Sequence, residues 1–135
     1  GPIELQGGVA ASRASLDASQ VRPVPPGSTA TGIGTLLADQ ATGKILISYV
    51  THDVASASAA AIRTSTTQNG TGASIIPFGN LETDFDAAGN NLASPLSTAR
   101  LTAQNLADFA NSLLYFEVDS SGNPNGEIRG NISPQ

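Results

Sequence analysis

The chain has 135 residues, 39% of them hydrophobic but only 4% aromatic and 13% charged, with 14 Gly, 8 Pro and no Cys, Met or Trp. That length suits one domain with a core of its own, and the missing thiols exclude a disulfide framework, a thiolate zinc site and thiol catalysis. Net charge is −5, with Arg13, Arg22, Lys44, Arg63, Arg100 and Arg129 scattered singly, which excludes a cationic stripe for nucleic acid and a polybasic membrane patch.

Gly1-Pro2 reads as the scar of a cleaved tag, and residues 1–13 as that scar with an N-terminal extension or edge strand. Residues 14–133 read as the single domain. Residues 9–17 carry small residues and Leu16, which suits an edge strand. The Pro-rich stretch at 22–27 forces an extended connection. Residues 31–38 alternate and carry glycines that allow close packing. A turn at 39–43 with Gly43 at positive φ then leads into residues 44–51, the most β-branched and apolar run, and the two make a hairpin. No apolar run approaches the ~20 residues of a membrane span. The Ala-rich stretch 56–64 fits a strand or a helix, because alanine favours the latter.

A polar loop covers 65–73, a short strand 74–78, a further segment that can pair after it 81–85, and a turn 86–91. Thr102 caps one expected helix, near 103–112, where Leu106, Phe109, Ala110 and Leu113 share a face. Asn105 stands where a capping box has Glu or Gln, so only a partial cap is expected. Leu114, Phe116 and Val118, and after another turn Ile128 and Ile132, point inward on two closing strands. The sum is an all-β fold, an antiparallel Greek-key β-sandwich or barrel with one short helix.

The closing elements Leu114-Tyr115-Phe116-Glu117-Val118 and Gly126-Glu127-Ile128-Arg129-Gly130 resemble the closing motif of the CHRD domain, the module named after chordin. The Val24-Pro25-Pro26 loop, Thr31-Gly32-Ile33-Gly34-Thr35-Leu36, the turn into Ile45-Leu46-Ile47-Ser48-Tyr49 and Leu101-Thr102 resemble the family's earlier elements in the same order. The resemblance implies an extracellular sandwich akin to the Cu,Zn superoxide dismutase barrel, and it makes the 56–64 segment a strand. Many bacterial members carry histidines alternating on that strand and in the last turn, a pattern that suggests copper or zinc. Alternate strand positions lie about 6.6 Å apart on one face. Here the matching positions are Ala61, Arg63, Asp119 and Asn123, none of them histidine, so an imidazole site and dismutase chemistry are not expected, and no cofactor is.

His52, followed by Asp53, is the only imidazole, and without a nucleophile motif it reads as structural. The turns holding Asp84 and Asp86, and Asp119 and Glu127, offer oxygen ligands of the kind calcium takes, but Asp, Asn and Gly are also what turns are made of. Glu127 and Arg129 share a strand face, as a recognition patch or a fold-stabilising pair. Arg63 is expected to form a charge-assisted bond with Asp119 in the old metal position. The sequons at Asn69 and Asn131 matter only in a glycosylating host.

The leading expectation is an extracellular, cell-surface or periplasmic non-catalytic module with a protein or matrix partner, not spanning a membrane, with self-association open through edge strands. Against it stand a copper-binding or dismutase-like protein, disfavoured by one His and no Cys or Met, and an adhesive or carbohydrate-binding module, disfavoured by few aromatics.

Overall fold

A computed structural model describes residues 8–95 and 99–134; the expected tag scar at Gly1-Pro2 lies outside them. Among the described residues nine strands form one sheet: β1 (Val9–Asp17), β2 (Thr31–Asp39), β3 (Ile45–His52), β4 (Ala57–Thr64), β5 (Ser74–Phe78), β6 (Asn80–Glu82), β7 (Asn91–Ser94), β8 (Leu114–Ser120) and β9 (Ile128–Asn131). The helix α1 (Ala103–Ala110) precedes β8. The strand order is β5-β4-β8-β9-β1-β2-β3-β7-β6, and every pairing is antiparallel. The two outermost strands, β5 and β6, are joined by Gly79 alone, so the sheet must curl until its edges nearly meet. That gives the expected all-β fold in its barrel form.

Alternation decides what fills the barrel, since neighbouring residues on a strand face opposite sides. Leu16, Leu36, Val50, Ile62, Phe116, Val118, Ile128 and Ile132 point inward and are almost wholly buried. Gly34 is part of the same packing: a Cβ there would lie 2.5 Å from the Phe116 ring. The ring occupies the space a side chain would take, which is how a barrel with few aromatics accommodates a large one.

The expected hairpin of residues 31–51 forms with its turn Gly43 at φ +74°, and the Ala-rich segment is strand β4. Other expectations need correction. β1 is no edge strand: it pairs with β2 along its whole length and meets β9 at Asp17 and Arg129. β1 also runs unbroken through residues 13 and 14. The segment after β5 pairs with β7 rather than β5, because the sheet closes there and does not continue as a hairpin. β7 was not anticipated at all, since Asn91–Ser94 is too short to show a period. The cap of α1 is complete: Thr102 Oγ1 accepts from Asn105 N and Asn105 Oδ1 accepts from Thr102 N, both at 3.0 Å. Asn reaches back as Glu would. The helix ends at Ala110, and of its expected apolar face only Phe109 is fully buried, with Leu106 packed against the core.

Candidate functional site

The middle of the outer face of β4, β8 and β9 is buried too. Register places Ala61 beside Glu117 and Arg63 beside Tyr115 on one flank of β8, and Arg129 beside Glu117 and Asn131 beside Tyr115 on the other. Tyr115, Glu117 and Arg129 are 1%, 7% and 2% exposed. They are covered by the segment around Val21 and Arg22, the 65–73 loop and the turn before β9. What stays open is a cleft of about 260 Å³ lined by Arg22, Arg63, Thr71, Tyr115, Glu117, Asp119, Pro124 and Asn125.

Burying a guanidinium requires its donors to be placed. Arg129 Nη1 donates to Gly70 O at 2.6 Å and its Nε to Asn131 Oδ1 at 2.8 Å, and its Cζ lies 3.6 Å above the centre of the Tyr115 ring. Arg63 Nε donates to Gly72 O at 2.9 Å, and Gly72 N donates to Tyr115 Oη at 2.9 Å. Both arginines therefore hold the 65–73 loop, and the expected Arg63–Asp119 bond is not made.

Glu117 and Asp119, two apart on β8, line the same cleft. Burial first, and then the neighbouring Asp119 carboxyl, push the Glu117 carboxyl up to about 8, against the pull of Arg63 and Arg129. Burial also raises Asp119, whose Oδ1 is buried without a hydrogen-bond partner. Gly126, at φ +122°, closes over this pair: a Cβ there would lie 3.0 Å from Glu117 Oε1 and from Val21 Cγ1.

The four positions that the resemblance matched to histidines thus hold a methyl group, a guanidinium engaged with the loop, a carboxyl beside another carboxyl in the cleft, and Asn123. The Asn123 amide donates to Glu127 Oε1 at 3.3 Å. Such a donor set does not fit a copper or zinc ion. Glu127 and Arg129 are not brought together either. Glu127 accepts from Ser28 at 3.1 Å and Ser120 at 2.6 Å; burial would raise its pKa, but the bonds from Ser120, Asn123 and Ser28 outweigh that and leave it lowered. Its carboxylate closes the last turn while Asp119 sits with Glu117, so these two calcium candidates do not converge. Asp86 accepts from Ala88 N, Asn90 N and Asn90 Nδ2, each at 3.0 Å, and so braces the other acidic turn. Asp84 lies in that turn at φ +51° and lines a separate cleft of about 380 Å³ at the end of the barrel. Among the described residues no three His, Cys, Asp or Glu side chains gather as metal ligands would.

His52 also lines that second cleft and is 1% exposed. Its Nδ1 accepts from Val54 N at 3.1 Å, leaving the proton on Nε2, which has no partner. Burial lowers its pKa, opposed by Asp53 and Glu127. Sequence reasoning missed Tyr115 and Glu117. The signal for them was a tyrosine and a glutamate alternating with the inward Leu114, Phe116 and Val118 on a closing strand.

The sequence matches the family model of the CHRD domain over residues 12–132. No curated protein and no solved structure matches the chain. No helix among the described residues is long and apolar enough to cross a membrane.

Proposed function

The chain belongs to the CHRD domain family, and from that membership we propose that it works outside the cell as a non-catalytic module that holds a protein partner against the outer face of β1, β2, β3 and β7. The observation that carries this reading is the make-up of that face. Register aligns Ala11 and Arg13 of β1 with Leu37 and Thr35 of β2, these with Ile47 and Tyr49 of β3, and Ile33 with Thr51 and Leu92. A solvated sheet face normally alternates to polar residues, yet Ile33 is 41% and Ile47 52% exposed, with Leu46 beside them at 48%. Arg13 lies among them, and Asp17 and Asp39 stand at the two ends of the same face. Several large apolar side chains exposed on one sheet face are the kind of feature that interaction surfaces carry.

The composition supports placement outside the cytoplasm, because the chain has no Cys, Met or Trp to oxidise. A copper or dismutase-like reading lacks comparable support, since the family's ligand positions here are Ala61, Arg63, Asp119 and Asn123. The test is capture of partners from the native extracellular fraction by the wild-type chain and by an Ile33→Lys/Ile47→Lys variant. A protein retained by the first and lost by the equally folded second is the expected result. Retention by both would remove the face from the account, and stoichiometric copper in the purified chain would remove the non-catalytic reading.

A further inference from the structure

The open sheet face is ordered in cross-strand rows, and the rows differ in chemistry. Register sets Ser15, Ile33, Thr51 and Leu92 in one row, Arg13, Thr35 and Tyr49 in the next, and Ala11, Leu37 and Ile47 in a third. Successive rows are two residues apart along the strands, about 6.6 Å. The register slips between Leu37 and Ala38, which leaves Leu46 without a partner on β2 and exposes it beside Ile47, at 48% and 52%. The middle row opens into a groove of about 460 Å³ lined by Arg13, Ile33, Thr35, Tyr49 and Thr51. Among the described residues the guanidinium of Arg13 and the hydroxyls of Thr35, Tyr49 and Thr51 have no hydrogen-bond or ion-pair partner. All four are donors, and they flank one another without an acceptor between them.

We propose that the groove at Arg13 seats a carboxylate, and that the partner on this face is an extended protein segment of the pattern apolar-x-acidic-x-apolar lying along β2. The inference rests on the reading of this face as the partner-binding surface and names the chemistry of what binds there. A purely apolar partner would bury the guanidinium unpaired, which is costly. A carboxylate accepts from its fork in two parallel bonds, and the neighbouring hydroxyls can donate to the same oxygens. Every second side chain of an extended segment points to one side at the same spacing as the rows, so an acid over Arg13 puts its i−2 and i+2 neighbours over the rows of Ile33 and Ile47. Asp17 and Asp39, each two rows from the middle one, repel an acid that slides either way and so fix the register. A polyanion is a poor occupant, since it would meet one cation between two carboxylates on a chain of net charge −5.

The experiment pans a displayed library of random seven-residue peptides against the intact chain and measures the enriched peptides by fluorescence anisotropy. The expected result is enrichment of Asp or Glu with apolar residues two positions to either side. Replacing that acid by its amide should weaken binding at least tenfold. Arg13→Gln should weaken the acidic peptide by a similar factor and abolish its advantage over the amide, and Arg13→Glu should transfer the preference to a peptide with Lys at the centre. Arg13 is exposed, so both variants are expected to fold. The proposal is overturned if no peptide is enriched, or if the enriched peptides carry no central acid. It is also overturned if Arg13→Gln leaves binding unchanged while Ile33→Lys/Ile47→Lys abolishes it, an outcome that keeps the face and removes only the carboxylate. Acidic peptides that bind the Ile33→Lys/Ile47→Lys variant as well as the wild type would instead remove the face itself.

Discussion

Arg129 is the largest side chain among those with under 2% or so of their surface exposed, and its position depends on a fork geometry that lysine lacks. Arg129→Lys keeps the charge but cannot serve Gly70 and Asn131 together while stacking on Tyr115. The expected cost is about 2–3 kcal/mol, the usual range for leaving buried polar groups unpaired, read as a lower denaturation midpoint with an unchanged slope. Two other buried groups set the response of stability to pH, in opposite directions. Glu117 is held near 8 in the folded chain against 4.5 as its ordinary value, so its contribution is full below 4.5 and is lost as pH rises through 8. His52 is lowered, so its contribution is present above about 6.5 and is lost as pH falls through the folded value. The two slopes oppose each other just below pH 6.5, and above it only the Glu117 slope remains. Urea denaturation between pH 6.5 and 8 should therefore show stability falling by up to about 1.4 kcal/mol per pH unit, and Glu117→Gln should flatten that decline.

At the scale of elements, the β2–β3 hairpin and the approach to α1 are locked to each other through one glycine. Gly43 N donates to Asp39 O and Gly43 O accepts from Leu101 N, both at 2.7 Å, and Lys44 bridges to Arg100. A Cβ on Gly43 would lie 1.8 Å from the Leu101 carbonyl oxygen, at φ +74°. A left-handed residue alone costs about 1–2 kcal/mol; here a backbone carbonyl must also move, and Gly43→Ala should cost more than about 3 kcal/mol, in the range kept for severe core or backbone disruptions. Thermal denaturation checks it. The need for glycine in this turn was legible in the sequence. Its contact with Leu101 was not, because nothing local connects residues 43 and 101. The same limit explains β6 and β7: Asn80–Glu82 and Asn91–Ser94 are too short to carry a period, and they are strands because β3 offers β7 a ladder to extend. The helix cap shows the converse, a local motif whose geometry forms fully with Asn105 in place of a longer side chain.

The whole molecule is a sheet closed by the proximity of β5 and β6 in the chain, which leaves two quite different outer faces. One, over β4, β8 and β9, is covered by loops and holds Tyr115, Glu117 and Arg129 in a small second core. The other, over β1, β2, β3 and β7, is uncovered and exposes Ile33, Leu46 and Ile47 among polar residues. Since Ile33 and Ile47 face outward and are about half exposed, the Ile33→Lys/Ile47→Lys variant should keep its melting temperature within a degree or two of wild type, as surface changes usually stay within about 0.5 kcal/mol. A large loss of stability would mean that the face is covered by part of the chain itself. The covering of the first face also accounts for the separation of Glu127 from Arg129: with Arg129 drawn to the 65–73 loop, Glu127 is left to close its own turn.

The sequence by itself determined the β class, the hairpin of β2 and β3, the inward set Leu114, Phe116, Val118, Ile128 and Ile132, and the family, because each is written in alternation, turn residues or a contiguous motif. Only the tertiary structure decided that β1 is internal, that Arg63 and Arg129 serve a loop rather than Asp119 or Glu127, and that Glu117 and Asp119 line one cleft under that loop. Those outcomes depend on which distant segments cover an outer face, and alternation along a strand distinguishes its two sides without saying whether the outer one meets water or another part of the chain.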